Sequence, residues 1–139
     1  MSAFSQESVA KLATCHTDLQ TLFNRVILLY NCTILEGHRS QADQEADFKA
    51  GKTQLHWPNG KHDSMPSMAV DVAPDPVSFD DSMVNIERFY LFAGYVLGVA
   101  DGLKEIGKIT HSIRWGGDWN GDRTLANQKF NDLVHFELV

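Results

Sequence analysis

Between Ser8 and Tyr30 the apolar residues Val9, Leu12, Leu19, Leu22, Phe23, Val26, Ile27 and Tyr30 recur at helical spacing. A stripe of this kind predicts an amphipathic helix. Ser5, ahead of Gln6 and Glu7, supplies its start and the Tyr30-Asn31 pair its end. One long first helix is therefore expected. The β-branched and apolar run Cys32 to Leu35 predicts a short strand, and Glu36-Gly37-His38-Arg39-Ser40 a turn. Ser40, with Asp43 three residues later, opens a polar helix, QADQEADFKAG, that Gly51 ends.

From Lys52 to Met68 the chain has no periodicity and carries Pro58, Gly60 and Pro66, which predicts a loop of functional size. Met68 to Ala73 alternates as a strand and stops at Pro74. After a second loop, Ile86, Phe89, Tyr90, Ala93, Val96, Leu97, Ala100 and Leu103 share one broad face of a third helix, with Gly107 as its terminator. A strand near Ser112 to Trp115, the turn GGDWNGD, a short polar helix near Leu125 to Phe130 and a terminal strand HFELV complete the pattern. Short separated strands among helices imply an α+β fold, a small mainly antiparallel sheet with three main helices, rather than a doubly wound parallel sheet.

Composition narrows the function classes. The chain has 139 residues, 43% of them apolar, enough for one core, so residues 1–139 read as a single domain. Twelve basic against eighteen acidic residues leave a net charge of -6 and no basic footprint for nucleic acid. Leu91 to Ala100 is the longest uncharged apolar run, about half of the roughly 20 residues a membrane span needs, so no membrane insertion is expected. The amino terminus lacks the basic start and apolar stretch of a secretory signal. Cys15 and Cys32 would stand ~25 Å apart along one helix, so two reduced thiols are expected. Dinucleotide and phosphate-loop glycine motifs and a Gly-x-Ser-x-Gly elbow are all absent.

Three residues invite a metal reading. Asp71 sits between Val70 and Val72 on a strand, where an unpaired carboxylate would be costly. His62 lies in the loop before it and His135 opens the terminal strand. Zinc held by His62, Asp71 and His135 would neutralise the carboxylate and leave a fourth position open, as catalytic rather than structural zinc does. Backbone amides around Asp71 would satisfy it equally well, and spacing alone leaves both readings open. Trp115 and Trp119 either line a cleft or support a turn. His16, His38, His56 and His111 have no motif and read as structural or solvated.

Taken in order, FSQESVAKLATCHTDLQTLFNRVI, TILEGHRS, GKHDSMPSMAVDVAP, IRWGGDW and FNDLVHFEL resemble the zinc peptidases of the D-Ala-D-Ala carboxypeptidase type. Within them they resemble the bacteriophage L-alanyl-D-glutamate endopeptidases that act as endolysins. The resemblance implies a Hedgehog/DD-peptidase-like fold and zinc on His62, Asp71 and His135. It also implies Asp132 as the general base and Arg39 as the group that binds a substrate carboxylate or the developing oxyanion. His38 and Gly60 depart from it, standing where tyrosine and serine are usual. The implied substrate is the stem peptide of bacterial peptidoglycan, cut between L-alanine and D-glutamate by a monomer. The implied place is the host cytoplasm until lysis, with a holin lesion giving access to the wall. Two alternatives accompany this reading: a D-Ala-D-Ala carboxypeptidase, and a non-catalytic wall-binding module that keeps zinc for stability.

The turn at 118–124 offers a second metal reading. Asp118, Asn120, Asp122 and Thr124 carry oxygen at every second position, as in the first half of a calcium loop. Lys129 stands where the closing glutamate of such a loop would fall, and a hydrated hairpin turn capped by Asp and Asn is the competing reading.

Overall fold

The computed structural model describes residues 2–139. Four helices and four strands run in the order α1 (Gln6–Leu12), α2 (Thr17–Val26), β1 (Cys32–Glu36), α3 (Gln41–Lys49), β2 (Ala69–Pro74), α4 (Met83–Glu105), β3 (Ile113–Trp115) and β4 (His135–Leu138). The strands form one antiparallel sheet in the order β1-β2-β4-β3. The α+β class and the antiparallel sheet expected from the pattern are both present, with four helices in place of three.

The extra helix comes from a break in the first apolar stripe. Instead of continuing, the chain at Thr14 and His16 bonds to Ser67: the Ser67 amide donates to the Thr14 carbonyl and the His16 amide to the Ser67 carbonyl, both at 2.9 Å. His16 then caps α2, its Nδ1 accepting from the Asp18 amide at 3.0 Å. The periodicity survives because both helices rest on one core, where Leu12, Cys15, Leu19, Leu22 and Phe23 are all buried. Val9, assigned to that stripe, is instead exposed. Cys15 and Cys32 are free and buried, and burial pushes their thiols up to about 11 and about 12.

α4 packs on α2 and across β2 and β3. Of its expected inner face, Phe89, Ala93, Val96 and Ala100 are buried, while Ile86 lies largely at the surface. Phe92, outside the expected face, is fully buried and meets Phe136 edge to face at 6.1 Å, with Phe23 against the same ring at 5.5 Å. Truncating such a ring to alanine costs about 3–5 kcal/mol. α3 and α4 run out where Gly51 and Gly107 take positive φ, 74° and 76°.

No helix forms near Leu125 to Phe130. Side chains there compete for the backbone: Gln128 accepts from the Trp119 amide at 2.9 Å and donates to the Thr124 carbonyl at 3.0 Å. Among the described residues, no helix is long and apolar enough to cross a membrane.

Candidate metal centre

Strand alternation separates core from site. On β2, Val70 and Val72 are buried in the core and Asp71 faces the other way; on β4, Phe136 and Leu138 join the core while His135 and Glu137 take the opposite face. The register puts Asp71 opposite His135 and, through an irregularity after Ile34, opposite Glu36. Glu36, Asp71 and His135 thus stand in a row across three neighbouring strands. His62, from the loop before β2, closes over them.

The donor atoms form a nearly equilateral triangle. His62 Nε2 and His135 Nδ1 each lie 3.2 Å from Asp71 Oδ1, and the two nitrogens are 3.3 Å apart. Three ligands of a tetrahedral zinc at about 2.0–2.1 Å would be separated by about 3.3 Å. The outer ring atoms fix the tautomers. His62 Nδ1 donates to the Gly37 carbonyl at 2.7 Å, and His135 Nε2 donates to Glu137 Oε1 at 2.8 Å. With both outer nitrogens protonated, the inner nitrogens of neutral rings present lone pairs to each other and to a carboxylate. Three acceptors converging without a donor call for a cation, so the residues fit a metal.

Protonation reports the same demand. Without a metal, a proton on His135 Nδ1 takes the place of the cation: burial disfavours the charged ring, yet hydrogen bonds to Asp71 and Glu137 outweigh it and lift His135 to about 9. Burial likewise opposes the Asp71 carboxylate, but the two histidines hold it well below the usual carboxylate range. The carboxylate behind His135 is itself held: burial notwithstanding, His135 and Arg114 bring Glu137 down to about 2, with Arg114 Nη2 donating to Oε2 at 2.7 Å. A carboxylate behind a ligating histidine orients the ring and raises its basicity.

Close backbone approach is built into the surround. A Cβ on Gly37 would meet the Lys11 carbonyl and Thr14 Oγ1 at 2.4 Å, so only glycine lets this carbonyl reach His62. A Cβ on Gly116 would fall 2.0 Å from the Asp132 carbonyl. That approach allows the Asp132 amide to donate to Gly116 at 2.8 Å and the His135 amide to Asp132 at 3.1 Å, fixing base candidate and ligand in one turn.

A cavity of about 740 Å³ opens over the triangle. Asp132 and Arg39 both line it, so they meet His62, Asp71 and His135 there. Burial, then the Asp71 charge, push the Asp132 carboxyl upward, against the pull of His135, His62 and Arg39. A carboxylate made more basic in this way is suited to taking a proton. Arg39 is held through Nε by Glu36 and by Asp47, the latter at 3.5 Å. Trp119 also lines the cavity, with its ring 5.4 Å from that of His135, whereas Trp115 is buried and donates to the Leu133 carbonyl at 2.9 Å. The two tryptophans therefore divide the two roles open in the sequence.

Sequence reasoning missed Glu137, Glu36 and Gln44. The i, i+2 spacing of His135 and Glu137 on a strand was the available signal for the first; the other two depend on a strand irregularity and a tertiary contact.

His16, Asp18 and His111 form a second group with converging ligand atoms. Its donors are already used. His16 Nδ1 caps α2, and Asp18 Oδ2 accepts from the Thr110 amide, the Thr110 hydroxyl, the His111 amide and His111 Nδ1 at 2.7–3.1 Å. This knot fastens the segment before β3 to α2.

In the 118–124 turn, Asp118 Oδ1, Asn120 Oδ1, the Thr124 carbonyl and Asn127 Oδ1 gather around the Gln128 amide nitrogen at 3.3, 3.3, 3.0 and 2.7 Å. Thr124 contributes its carbonyl rather than its hydroxyl. Asp122 turns aside, accepting from the Thr124 backbone amide at 2.8 Å and the Asn127 side-chain Nδ2 at 2.8 Å, and Arg123 takes a φ of 61°.

The sequence of the family described as phage L-alanyl-D-glutamate peptidase matches residues 1–139. Among solved structures, the fold is similar to the L-Ala D-Glu endopeptidase ChiX of Serratia marcescens, with a TM-score of 0.71 and 25% identity over 98% of this chain and 89% of that one. No curated protein matches the chain.

Proposed function

The chain belongs to the phage L-alanyl-D-glutamate peptidase family, and from that premise we propose a zinc-dependent endopeptidase that cuts the stem peptide of bacterial peptidoglycan between L-alanine and D-glutamate. The observation that carries the metal reading is the triangle of acceptors at 3.2, 3.2 and 3.3 Å, each histidine fixed from behind by a hydrogen bond. His62, Asp71 and His135 would hold the ion. When bound, zinc lowers the pKa of water toward ~7 and polarises the amide carbonyl.

The side chains divide the remaining work. Asp132 takes the proton of the attacking water at its carboxylate and returns it to the departing glutamate nitrogen. Arg39 stabilises the oxygen that becomes negative, or holds a carboxylate of the peptide. Trp119 walls the cavity beside His135.

The reading extends to residues 1–139 as one monomeric catalytic domain that waits in the host cytoplasm and reaches the wall through a holin-type lesion. The 118–124 turn reads as a hydrogen-bonded turn closed by Gln128; the competing reading, a calcium ion on oxygens of Asp118, Asn120, Asp122 and Thr124, requires Gln128 to leave and Asp122 to swing inward. Loss of turbidity of purified cell walls tests the whole: clearing that stops with chelator and returns with zinc supports it, and clearing unaffected by exhaustive chelation contradicts it.

A further inference from the structure

α3 is a polar helix, and its one buried residue is a glutamine. Gln44 has no exposed surface. A buried amide needs partners for its oxygen and its nitrogen. The oxygen accepts from Arg39 Nη1 at 2.9 Å, and the nitrogen donates to the Leu55 carbonyl at 2.6 Å. Gly60 lies against the same side chain, so closely that a Cβ there would meet Gln44 Oε1 at 3.0 Å. Arg39, Leu55, Gly60 and Gln44 all line the cavity over the metal centre.

Polar contacts join the rest of α3 to this wall. Asp47 pairs with Arg39, and Glu45 accepts from the Trp57 amide at 2.9 Å and contacts His56 Nδ1 at 2.9 Å. With so little apolar burial, α3 has its position set by hydrogen bonds, and Gln44 is the only one of these groups fully removed from water. The carboxylates of Glu36 and Asp47 engage Arg39 at Nε; Gln44 alone engages Nη1. Nη2 has no hydrogen-bond partner among the described residues.

We infer that Gln44 is a positioning residue: its amide oxygen orients the Arg39 guanidinium toward the reacting peptide, and its amide nitrogen holds the 52–60 loop as the cavity wall. This rests on the part given to Arg39 under the proposed function. The two halves of the amide are separable by substitution. Gln44→Glu keeps an acceptor for Arg39 but turns an oxygen toward the Leu55 carbonyl, releasing the wall. Gln44→Met keeps the shape and removes both bonds.

Steady-state kinetics on a soluble stem peptide, with metal content and thermal unfolding measured alongside, test the inference. Gln44→Glu should raise KM several-fold with kcat within about twofold, whereas Gln44→Met should lower kcat/KM by about 10- to 100-fold, the scale of a misplaced catalytic group. Both should retain the metal. In an Arg39→Ala background, Gln44→Met should lower kcat no further. Wild-type kcat in Gln44→Met, or kcat losses that multiply in the double variant, would overturn the inference while leaving the proposed function intact. Should Gln44→Met fail to fold, an unchanged KM in Gln44→Glu would overturn it. Wild-type turnover in Arg39→Ala would instead remove Arg39 from the reaction and, with it, the role of Gln44.

Discussion

Glu137 stands behind His135 on the same strand and accepts a hydrogen bond from its Nε2 at 2.8 Å. Two residues apart on β4, they share the face that Asp71 occupies on β2. The bond turns Nδ1 of His135 toward Asp71 and His62. Glu137→Gln should therefore weaken metal binding by about 10- to 100-fold, the usual effect of losing such a partner. Competition against a chelator of known affinity measures it, and an affinity equal to wild type would show that the bond does not tune the ligand.

Removing a ligand has a different signature. His135→Ala should lose metal and stability together, because Asp71 then keeps only one of its two histidine partners and Glu137 is left with Arg114 alone. Metal analysis with thermal unfolding reads both at once; full occupancy in this variant would end the assignment of His135.

Asp132→Asn separates chemistry from binding. Zinc content and fold should persist, while turnover falls by about 10²- to 10⁴-fold, the contribution expected of a general base. Near wild-type turnover would take Asp132 out of the mechanism.

Asp18 gives a pH dependence away from the site. Burial opposes its charge, but hydrogen bonds from His111 and Thr110 prevail and bring it down to about 2. Its unfolded value is about 3.9. A depressed folded pKa contributes stability that is fully present above the unfolded value and is lost as pH falls through the folded one. Asp18→Asn should thus be less stable than wild type by about 1–2 kcal/mol at pH 7, with the gap closing between about pH 5 and pH 2. A gap independent of pH would mean the carboxylate charge contributes nothing.

Much of the fold was legible because pattern and burial agree: the strand around Asp71, the polar helix after Ser40 and the terminal strand fall where alternation and caps put them. The first stripe misled because α1 and α2 lean on one core, so the apolar period runs through a break that only the contact with Ser67 creates. The helix near Leu125 to Phe130 failed because side chains of the 118–128 segment bind its backbone. At the site, His62, Asp71 and His135 stood out from the strand context, which left the metal undecided, and Asp132 and Arg39 came only from the resemblance. Gln44 and Glu36 act through contacts that no local pattern encodes.

Calcium at the 118–124 turn would have to displace the Gln128 amide nitrogen from the oxygens of Asp118, Asn120, Thr124 and Asn127. If it does so, calorimetry shows heat on titration and wall lysis at constant zinc rises as the turn orders Trp119 beside His135. Neither heat nor a change in rate, or wild-type behaviour of Asp118→Ala and Asp122→Ala, would leave a plain hydrogen-bonded turn.

A metal-dependent cut between L-alanine and D-glutamate leaves products that mass spectrometry of digested wall peptides reads without ambiguity. Fragments should carry a new amino-terminal glutamate, with alanine left on the sugar side, and should be absent after chelation and restored by zinc. Release of free alanine, or the same fragments formed in the presence of chelator, would contradict it.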